Sequence, residues 1–224
     1  CYENKEQIWG YRENEPMGGY DPYSSSKGAA EIAIASWRCS FFNSADYGKK
    51  HHVSLASVRA GNVIGGGDWA LDRIIPDCIK ALEAGKDIDI RNPQAIRPWQ
   101  HVLEPLSGYM LLASKMWKEP TKYCEGWNFG PRAESIVPVW DVATDVIKNY
   151  GSGQLNDIST PNTLHEAKLL MLDISKAKFL LGWEPRMNIH QCIALTVDWY
   201  KRYKDEDVYA LCLEQIETYL AYGK

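Results

Sequence analysis

Apolar positions along the chain alternate between helical spacing and short extended runs. Segments with helical spacing or helix-favouring residues predict helices at 23–43, 71–84, 102–118, 137–150 and 175–181, with two more helices beyond residue 188. Short apolar runs bounded by turn residues predict strands at 53–60, 88–91, 126–129 and 169–172. The polar stretch 151–168, which contains glycine and proline, is predicted as a loop.

This alternation of strands and helices favours an α/β fold with a largely parallel sheet. The chain has 224 residues, 45% of them apolar, so it can bury a sizeable core, and one or two domains fit this length. A net charge of −4 gives no general attraction to nucleic acid or acidic lipid, so neither is expected as a partner. No apolar stretch approaches the roughly 20 residues needed to cross a bilayer.

The cysteines and histidines show no pattern of a disulfide framework or a metal site. The six cysteines are scattered without Cys-x-x-Cys pairs, and the five histidines lack His-x-x-x-His spacing. This usage indicates reduced thiols, a cytoplasmic location and no bound metal.

A Tyr-x-x-x-Lys pair, Tyr23 and Lys27, opens the first predicted helix. Pro22 suits the first helical turn, because its missing N–H would have no partner there. Residues i and i+4 lie on the same face of a helix, so the phenol and the ammonium are expected to share one surface. A nearby cation favours the phenolate form, which suits proton transfer during oxidation of an alcohol. On spacing alone, an ordinary helix surface is the alternative.

The same spacing recurs at Tyr200 and Lys204. This second copy lies in a charged segment near the C-terminus, and we interpret it as the solvated face of a helix. Only the first copy is therefore a candidate site.

A glycine fingerprint for a dinucleotide is absent from these residues. Such folds carry Gly-x-Gly-x-x-Gly between the first strand and helix. The glycines at 61 and 65–67 follow a predicted strand, but their spacing fits neither this fingerprint nor a Walker A loop. We do not interpret them as the primary phosphate loop.

Five longer strings resemble the extended short-chain dehydrogenase/reductase family, and within it the sugar-nucleotide 4,6-dehydratases. They occur in the family's order, and the resemblance runs from Cys1 to about residue 200. The strings are Trp9-Gly-Tyr-Arg-Glu-Asn14, Gly19-Tyr-Asp-Pro-Tyr-Ser-Ser-Ser-Lys27, Val58-Arg-Ala-Gly-Asn-Val-Ile-Gly-Gly-Gly-Asp-Trp69, Arg91-Asn-Pro-Gln-Ala-Ile-Arg-Pro-Trp-Gln-His101 and Glu125-Gly-Trp-Asn-Phe-Gly-Pro131. The resemblance implies a Rossmann-like doubly wound parallel sheet and a smaller mixed α/β substrate-binding lobe.

The resemblance also implies a division of the chain. Residues 1–64 would be the tail of an NAD-binding Rossmann domain, and residues 65–224 a substrate-binding lobe interleaved with returning core elements. In the family, the glycine fingerprint, a catalytic Ser/Thr and further acid–base residues precede the segment that matches Cys1-Tyr2. We therefore expect the C-terminal portion of a longer enzyme, incomplete by itself. Glu3 and Lys5 are interpreted as loop charges rather than substitutes for those residues.

Several single residues take roles from the resemblance. Tyr23 and Lys27 would be catalytic and would contact the cofactor NAD, which Ala60 and Val63 would also approach. The substrate-binding candidates are polar residues beside predicted strands or helix starts: Asn62, Arg73, Arg97, His101 and Asn128. Arg97 has apolar neighbours, and a partly buried guanidinium there needs an anion such as a diphosphate.

The other substrate contacts have structural alternatives. Asn62 can form a turn beside a glycine, and Arg73 can be a surface arginine rather than a phosphate ligand at a helix start. His101 either hydrogen-bonds the substrate or caps its strand. Asn128 either lies near the phosphate or ribose or is a structural amide.

Contacts with the base or ribose are the least defined. Arg91 and the pair His165-Glu166 could reach this part of the substrate. Trp9, Trp69 and Trp99 either stack on a pyrimidine or pack in the core, since buried aromatics are common there; most of the nine tryptophans must be structural.

The implied reaction is internal redox catalysis on CDP-glucose. Tyr23 would take the proton of the hexose C4 hydroxyl as hydride passes to NAD, and Lys27 would hydrogen-bond the nicotinamide ribose. Water would be lost across C5 and C6, and hydride would return to C6, giving a 4-keto-6-deoxy sugar. The alternatives are a dehydratase or 4-epimerase acting on another sugar nucleotide, and a non-catalytic sugar-nucleotide-binding fragment.

The quaternary structure implied by the resemblance is a homodimer or homotetramer. In the family, the Tyr-x-x-x-Lys helix and its neighbour commonly pack against their twins. Small and apolar residues of the first predicted helix would permit such packing: Gly28, Ala29, Ile32, Ala33 and Trp37.

Overall fold

A computed structural model of the protein describes residues 1–160 and 169–223. Its helices are α1 Pro22–Ser40, α2 Ile74–Glu83, α3 Leu103–Lys118, α4 Val139–Tyr150, α5 Ile189–Arg202 and α6 Val208–Ala221. Its strands are β1 Ser57–Ala60, β2 Asn62–Ile64, β3 Ile88–Ile90, β4 Ile96–Arg97, β5 Trp99–His101, β6 Gly126–Phe129, β7 Val137–Pro138 and β8 Leu155–Asp157. A π-helical segment covers Ala177–Leu181.

The chain forms two compact units, each assembled from segments distant in sequence. The first contains Cys1–Ala60, Pro105–Gly130 and Leu170–Glu184. The second is built from Gly61–Glu104, Pro131–Leu169 and Pro185–Lys224. The expected division into a cofactor-binding tail and a substrate lobe at residue 64 stays a prediction.

The first unit is organised around the parallel pair of β1 and β6, with Ser57 opposite Gly126. Trp127 and Phe129 of β6 are buried. A strand buried along its length is typical of parallel sheets covered on both faces. The ring of Phe129 meets Trp183 edge-on at a centroid distance of 5.0 Å, and Tyr109 at 5.4 Å. These aromatics form the core of the unit.

The second unit contains two parallel strand pairs, β2 with β5 and β3 with β8, and one antiparallel pair, β4 with β7. Helix α2 buries Ile75, Cys78, Ile79 and Leu82, the i, i+3, i+4, i+7 stripe of an amphipathic helix. These residues join one core cluster with buried side chains of α4 and α5.

The sequence predicted the fold class and most long elements. The α/β class is confirmed, and so are strand 126–129 and the two helices beyond residue 188. The helix predicted at 102–118 is found as Leu103–Lys118. Long periodic segments carry a repeated signal, which explains this success.

Predicted boundaries were wrong at several strand and helix ends. The strand predicted at 53–60 begins only at Ser57, where pairing with β6 starts. The helix predicted at 137–150 begins at Val139, because Pro138 is extended and Val137–Pro138 pairs with β4. In α2, the helix starts after Arg73 rather than at 71.

The segment from 151 to 172 also differs from the prediction. Leu155–Asp157 is not loop but forms β8 beside β3. Residues 151–154 and 158–160 are neither helix nor strand, as predicted, and the last part of the predicted loop, 161–168, lies outside the described residues. In place of the strand predicted at 169–172, the structure has two isolated bridges, Leu169 with Ile96 and Leu172 with Tyr11. Short strands of this kind are fixed by their partners and have no clear signal of their own.

Candidate active site

The start of α1 fixes the backbone position of the Tyr-x-x-x-Lys pair. The Asp21 carboxylate accepts hydrogen bonds from the backbone N–H groups of Tyr23 at 2.9 Å and Ser24 at 3.0 Å. The Ser24 hydroxyl also donates to this carboxylate at 2.6 Å, and that bond lowers the pKa of Asp21. A carboxylate at a helix N-terminus is favourable, so α1 begins at one defined residue.

Tyr23 and Lys27 lie side by side on the outer surface of α1. Nζ of Lys27 is 5.5 Å from the centre of the Tyr23 ring, a cation–π distance. Tyr23 is 71% exposed. Within the described chain, Lys27 forms no ion pair. The prediction that the two groups share one surface is confirmed, and an exposed phenol beside a cation can exchange a proton with a bound alcohol.

A buried polar network connects α1 to the sheet of the first unit. Nη2 of Arg59 donates to Oε2 of Glu31 at 2.7 Å, and the Ser57 hydroxyl donates to the same oxygen at 2.8 Å. Nη1 of Arg59 donates to the Tyr2 hydroxyl at 2.6 Å, which in turn donates to Oδ1 of Asn128 at 2.6 Å. Burial raises the pKa of Tyr2, so this hydroxyl keeps its proton and its donor role.

Glu31 and Arg59 are absent from the residues predicted above, although the sequence carries a signal for each. Arg59 lies between Val58 and Ala60. The argument that selects Arg97, an arginine among apolar residues that needs an anion, applies equally to it. Glu31 continues the four-residue series of Tyr23 and Lys27 along one helix face.

Asn128 is fully buried in β6. Its side-chain amide donates to the backbone oxygens of Tyr11 at 2.8 Å and Asp173 at 3.2 Å, and its Oδ1 accepts from Tyr2. Since the polar atoms of the side chain all have protein partners, the structural-amide alternative is favoured. A substrate contact of Asn128 stays a prediction.

Ala60 and Val63, the predicted neighbours of the nicotinamide, belong to different strands. Ala60 is the last residue of β1 and lies opposite Phe129, whereas Val63 is the middle residue of β2, opposite Gln100. Neither has a polar side chain, so their contact with NAD would be made by methyl groups and backbone. That contact stays a prediction.

Asn62 begins β2 in the second unit. Its N–H donates to the backbone oxygen of Pro98 at 2.9 Å, and a Cβ added to Gly61 would lie 2.4 Å from that oxygen. Only glycine permits this close approach. Within the described residues, the Asn62 side chain has no hydrogen-bond partner. Its amide is therefore available to a ligand.

Arg97 ends β4 and is half-buried, opposite Val137 of β7. Its Nη1 donates to the backbone oxygen of Ile96 at 2.9 Å. The expectation of a partly buried guanidinium is confirmed, while the anion it would bind stays a prediction. Asn62 lies opposite Trp99 of β5.

His101 lies at the end of β5 and is 2% exposed. Its Nδ1 accepts the N–H of Leu103 at 3.3 Å, which places the proton of the neutral ring on Nε2. In the described chain, Nε2 is buried without a hydrogen-bond partner. Burial lowers the pKa of His101 to about 4, so the ring is neutral at pH 7. The bond to Leu103 supports the strand-capping alternative, and a substrate contact stays a prediction.

Two candidate arginines of the second unit lie on the surface. Arg73 is the N-cap residue of α2, and its Nη1 is 3.6 Å from the Asp68 carboxylate. Arg91 places Nη2 2.7 Å from the Asp72 carboxylate. No side chain caps the start of α2, so its first N–H groups and Arg73 together would suit an anion. Both placements also fit ordinary surface arginines.

The second Tyr-x-x-x-Lys copy is not a solvated face, and that expectation was wrong. Tyr200 is 3% exposed, and its hydroxyl donates to the backbone oxygen of Asp68 at 2.6 Å. Burial raises the pKa of Tyr200 to about 12. Lys204 lies beyond the end of α5 and pairs with Glu83 at 2.8 Å.

The remaining candidates are placed as follows. Trp99 is buried in the core of the second unit, whereas Trp9 and Trp69 are exposed. His165 and Glu166 lie outside the described residues.

Glu3 and Lys5 form an exposed ion pair with each other at 3.0 Å, as loop charges do. The cysteines are free thiols. Over residues 1–160 and 169–223, no group of three or more His, Cys, Asp or Glu side chains is arranged to hold a metal ion. None of the helices in this part of the chain has the length and apolar character that crossing a membrane requires.

No protein family model matches the chain. The CDP-glucose 4,6-dehydratase of Salmonella typhimurium is 50% identical over 222 residues, or 99% of this chain. The resemblance to the sugar-nucleotide 4,6-dehydratases is confirmed. The chain spans 62% of the length of that relative.

Solved structures of sugar-nucleotide dehydratases and epimerases confirm the Rossmann-like fold. The dTDP-glucose 4,6-dehydratase of Bacillus anthracis in complex with NAD has a TM-score of 0.71 at 20% identity, covering 89% of this chain and 58% of its own. The UDP-glucuronic acid 4-epimerase of Bacillus cereus, in complex with UDP-glucuronic acid and NAD, has a TM-score of 0.69 at 20% identity over 88% and 58% of the two chains. This likeness concerns the fold alone.

Proposed function

We propose that this chain forms part of an NAD-dependent 4,6-dehydratase that converts CDP-glucose to CDP-4-keto-6-deoxyglucose. The observation that carries the proposal is the 50% identity to a CDP-glucose 4,6-dehydratase over 99% of the chain. The exposed Tyr23 phenol with Lys27 beside it also supports the proposal, because such a pair can transfer a proton during oxidation of an alcohol.

The first unit carries groups that fit the nicotinamide end of NAD. Lys27 offers an ammonium with three donors and no ion-pair partner in the described chain, which suits the hydroxyls of a ribose. Bound NAD would accept a hydride from the hexose and return it later. The chain contains no Gly-x-Gly-x-x-Gly, so a loop of that type within these residues does not hold the pyrophosphate.

Tyr23 is the proposed proton-transfer group. As phenolate it takes the proton of the hexose C4 hydroxyl, and the Lys27 ammonium beside its ring favours the phenolate form. A well-placed acid–base group contributes about 10²–10⁴-fold to a rate. The pair thus has the chemistry needed for the oxidation half of the reaction.

The second unit supplies the proposed diphosphate ligands. Arg97 can bind an anion through the parallel N–H groups of its guanidinium, and Asn62 offers an amide that has no hydrogen-bond partner within the described residues. Arg73 adds an exposed guanidinium at the uncapped start of α2. His101 is proposed only as a secondary contact, because its Nδ1 is already used by Leu103.

We further propose a cytoplasmic homodimer or homotetramer. Helix α1 exposes Ile32 at 61% and Trp37 at 55%, apolar surface that a second copy would cover. The free cysteines fit a reducing compartment. The test is light scattering: Trp37→Glu should lower the mass in solution, and a monomeric wild-type protein would contradict the proposal.

Mass spectrometry of reactions with NAD and CDP-, dTDP-, UDP- and GDP-hexoses tests the function. Both this chain alone and the full-length gene product should be assayed, with Tyr23→Phe as the control. Loss of one water from CDP-glucose is expected from the full-length product and not from this chain alone, and it should require Tyr23. Water loss from another nucleotide would correct the base, and an isomer of unchanged mass would indicate a 4-epimerase. Binding without any product would favour the non-catalytic alternative.

A further inference from the structure

We propose that Arg59 is a positioning residue that neutralises Glu31 and so keeps the Lys27 ammonium beside Tyr23. Without this neutralisation, Lys27 would turn to the Glu31 carboxylate. The inference rests on the proposed function, because it concerns the Tyr23–Lys27 pair, and it adds a residue that acts through others rather than on the substrate.

Lys27 has two possible partners on its own face of α1. Tyr23 lies four residues before it and Glu31 four residues after it, and side chains at this spacing have Cβ atoms about 5–6 Å apart. A lysine and a glutamate so placed often form an ion pair. In the described structure Lys27 nevertheless forms none, and its ammonium lies 5.5 Å from the Tyr23 ring centre.

Two donors on β1 hold Glu31 away from Lys27. Nη2 of Arg59 at 2.7 Å and the Ser57 hydroxyl at 2.8 Å both donate to Oε2 of Glu31. The side chains of Glu31 and Arg59 are 11% and 10% exposed, so water screens their attraction far less than it would at the surface. The carboxylate therefore has little attraction left for an exposed lysine.

Arg59 is itself fixed on the side away from Glu31. Its Nη1 donates to the Tyr2 hydroxyl at 2.6 Å and to the backbone oxygen of Glu13 at 3.0 Å. The Tyr2 ring, 5.2 Å from Cζ of Arg59, stacks on Tyr11 at a centroid distance of 5.4 Å. The guanidinium is thus held by contacts on both sides, as a positioning role requires.

Other charged and titratable groups also surround this helix face. They are Asp21 just before α1 and Arg38 on it, the Cys1 amino group, Tyr2, Glu13 and Glu15 in the N-terminal segment, and Glu125 and Lys176, which pair with each other. Asp21 is engaged by the capping bonds of the helix start, and Arg38 donates to the Leu55 backbone oxygen at 3.0 Å. Glu31 is thus the carboxylate at helical spacing that competes with Tyr23 for Lys27.

The test compares Arg59→Gln with the neutral double variant Glu31→Gln/Arg59→Gln. In Arg59→Gln, the acidic limb of the kcat–pH profile should move to higher pH, with kcat at pH 7 falling about tenfold and KM little changed. In the double variant no carboxylate competes, so the profile should return to that of the wild type. A loss of kcat with no displacement of the profile, or a displacement that persists in the double variant, would overturn the proposal.

Crystal structures of both variants give a readout independent of activity. In Arg59→Gln, Nζ of Lys27 should lie within ion-pair distance of Glu31, and in the double variant it should return to the Tyr23 ring. A lysine that stays over Tyr23 in Arg59→Gln overturns the proposal. If the wild-type enzyme dehydrates no sugar nucleotide, the proposed function fails, yet the position of Lys27 still decides this inference. If Arg59→Gln does not fold, the double variant decides: Lys27 over Tyr23 supports the proposal, and Lys27 elsewhere refutes it.

Discussion

The two Tyr-x-x-x-Lys copies have the same spacing and opposite surroundings. Tyr23 opens α1 with its ring on the surface and Lys27 beside it. Tyr200 lies in the buried part of α5, where its hydroxyl is used by the Asp68 carbonyl. Lys204 lies beyond the helix end and pairs with Glu83. A motif of this length therefore predicts a shared helix face only where the helix continues through both residues.

The environment also decides which tyrosine can exchange a proton. Burial raises the pKa of Tyr200 to about 12, and its hydroxyl proton is already engaged by the backbone oxygen of Asp68. Tyr23 faces outward, where a substrate can reach it. The same residue type thus serves packing in one unit and proposed chemistry in the other.

The largest expected difference between the copies is in turnover. Tyr23→Phe removes the proposed proton acceptor and should lower kcat by about 10²–10⁴-fold, with little change in melting temperature because the side chain is exposed. Tyr200→Phe is the matched control and should keep its rate. Turnover measured by mass spectrometry, with thermal melting alongside, checks both variants. A fully active Tyr23→Phe enzyme would show that the first copy is also structural.

The next largest expected effect is a loss of stability at low pH, and it arises in the unit that contains Tyr200. His101 has a pKa of about 4 in the folded state against about 6.5 when unfolded, so only the unfolded state binds this proton between those values. The free energy of unfolding should fall by about 3 kcal/mol from pH 7 to pH 4 through this residue. Burial raises the pKa of Glu104, which acts in the opposite direction.

Urea unfolding of the wild type and His101→Asn across this pH range isolates the histidine. The variant should be less stable at pH 7 and should lack that part of the acid-dependent loss. Equal pH slopes in the two proteins would mean that His101 is protonated without cost in the fold.

A smaller effect is expected on stability when the packed copy loses its hydroxyl. Tyr200→Phe removes the bond to the Asp68 carbonyl, which should cost about 1–2 kcal/mol of unfolding free energy. Tyr23→Phe, without such a bond, should lie within error of the wild type in the same urea titration. If the two variants were equally stable, the hydrogen bond of Tyr200 would contribute nothing measurable to the free energy of unfolding.

The smallest effect belongs to the second lysine. Lys204→Met breaks an exposed ion pair with Glu83, and such pairs contribute little, so the melting temperature should stay within about 2 °C of the wild type. Lys27→Met should also leave it unchanged while it lowers kcat. A large loss of stability in Lys204→Met would show that the Lys204–Glu83 pair stabilises the C-terminal end of α5.

By itself, the sequence determined the α/β class, the long helices, strand β6 and the Tyr23–Lys27 surface. Each of these depends on a local repeat, such as the apolar spacing of α3 or the four-residue step from Tyr23 to Lys27. The family strings pointed to the sugar-nucleotide dehydratases for the same reason, since they are contiguous in the chain.

Tertiary structure decided what depends on partners far apart in sequence. Short strands such as β8 exist because β3 pairs with them, and no local signal marks the polar residues of Leu155–Asp157. The Asn128 side chain is engaged because Tyr2 and the Tyr11 backbone oxygen form hydrogen bonds with it. Tyr200 is buried because other residues of the same core cluster pack against α5. Glu31 and Arg59 are 28 positions apart, so their buried pairing became visible only when α1 lay against β1. Burial and long-range hydrogen bonds are properties of the folded chain, and spacing alone does not encode them.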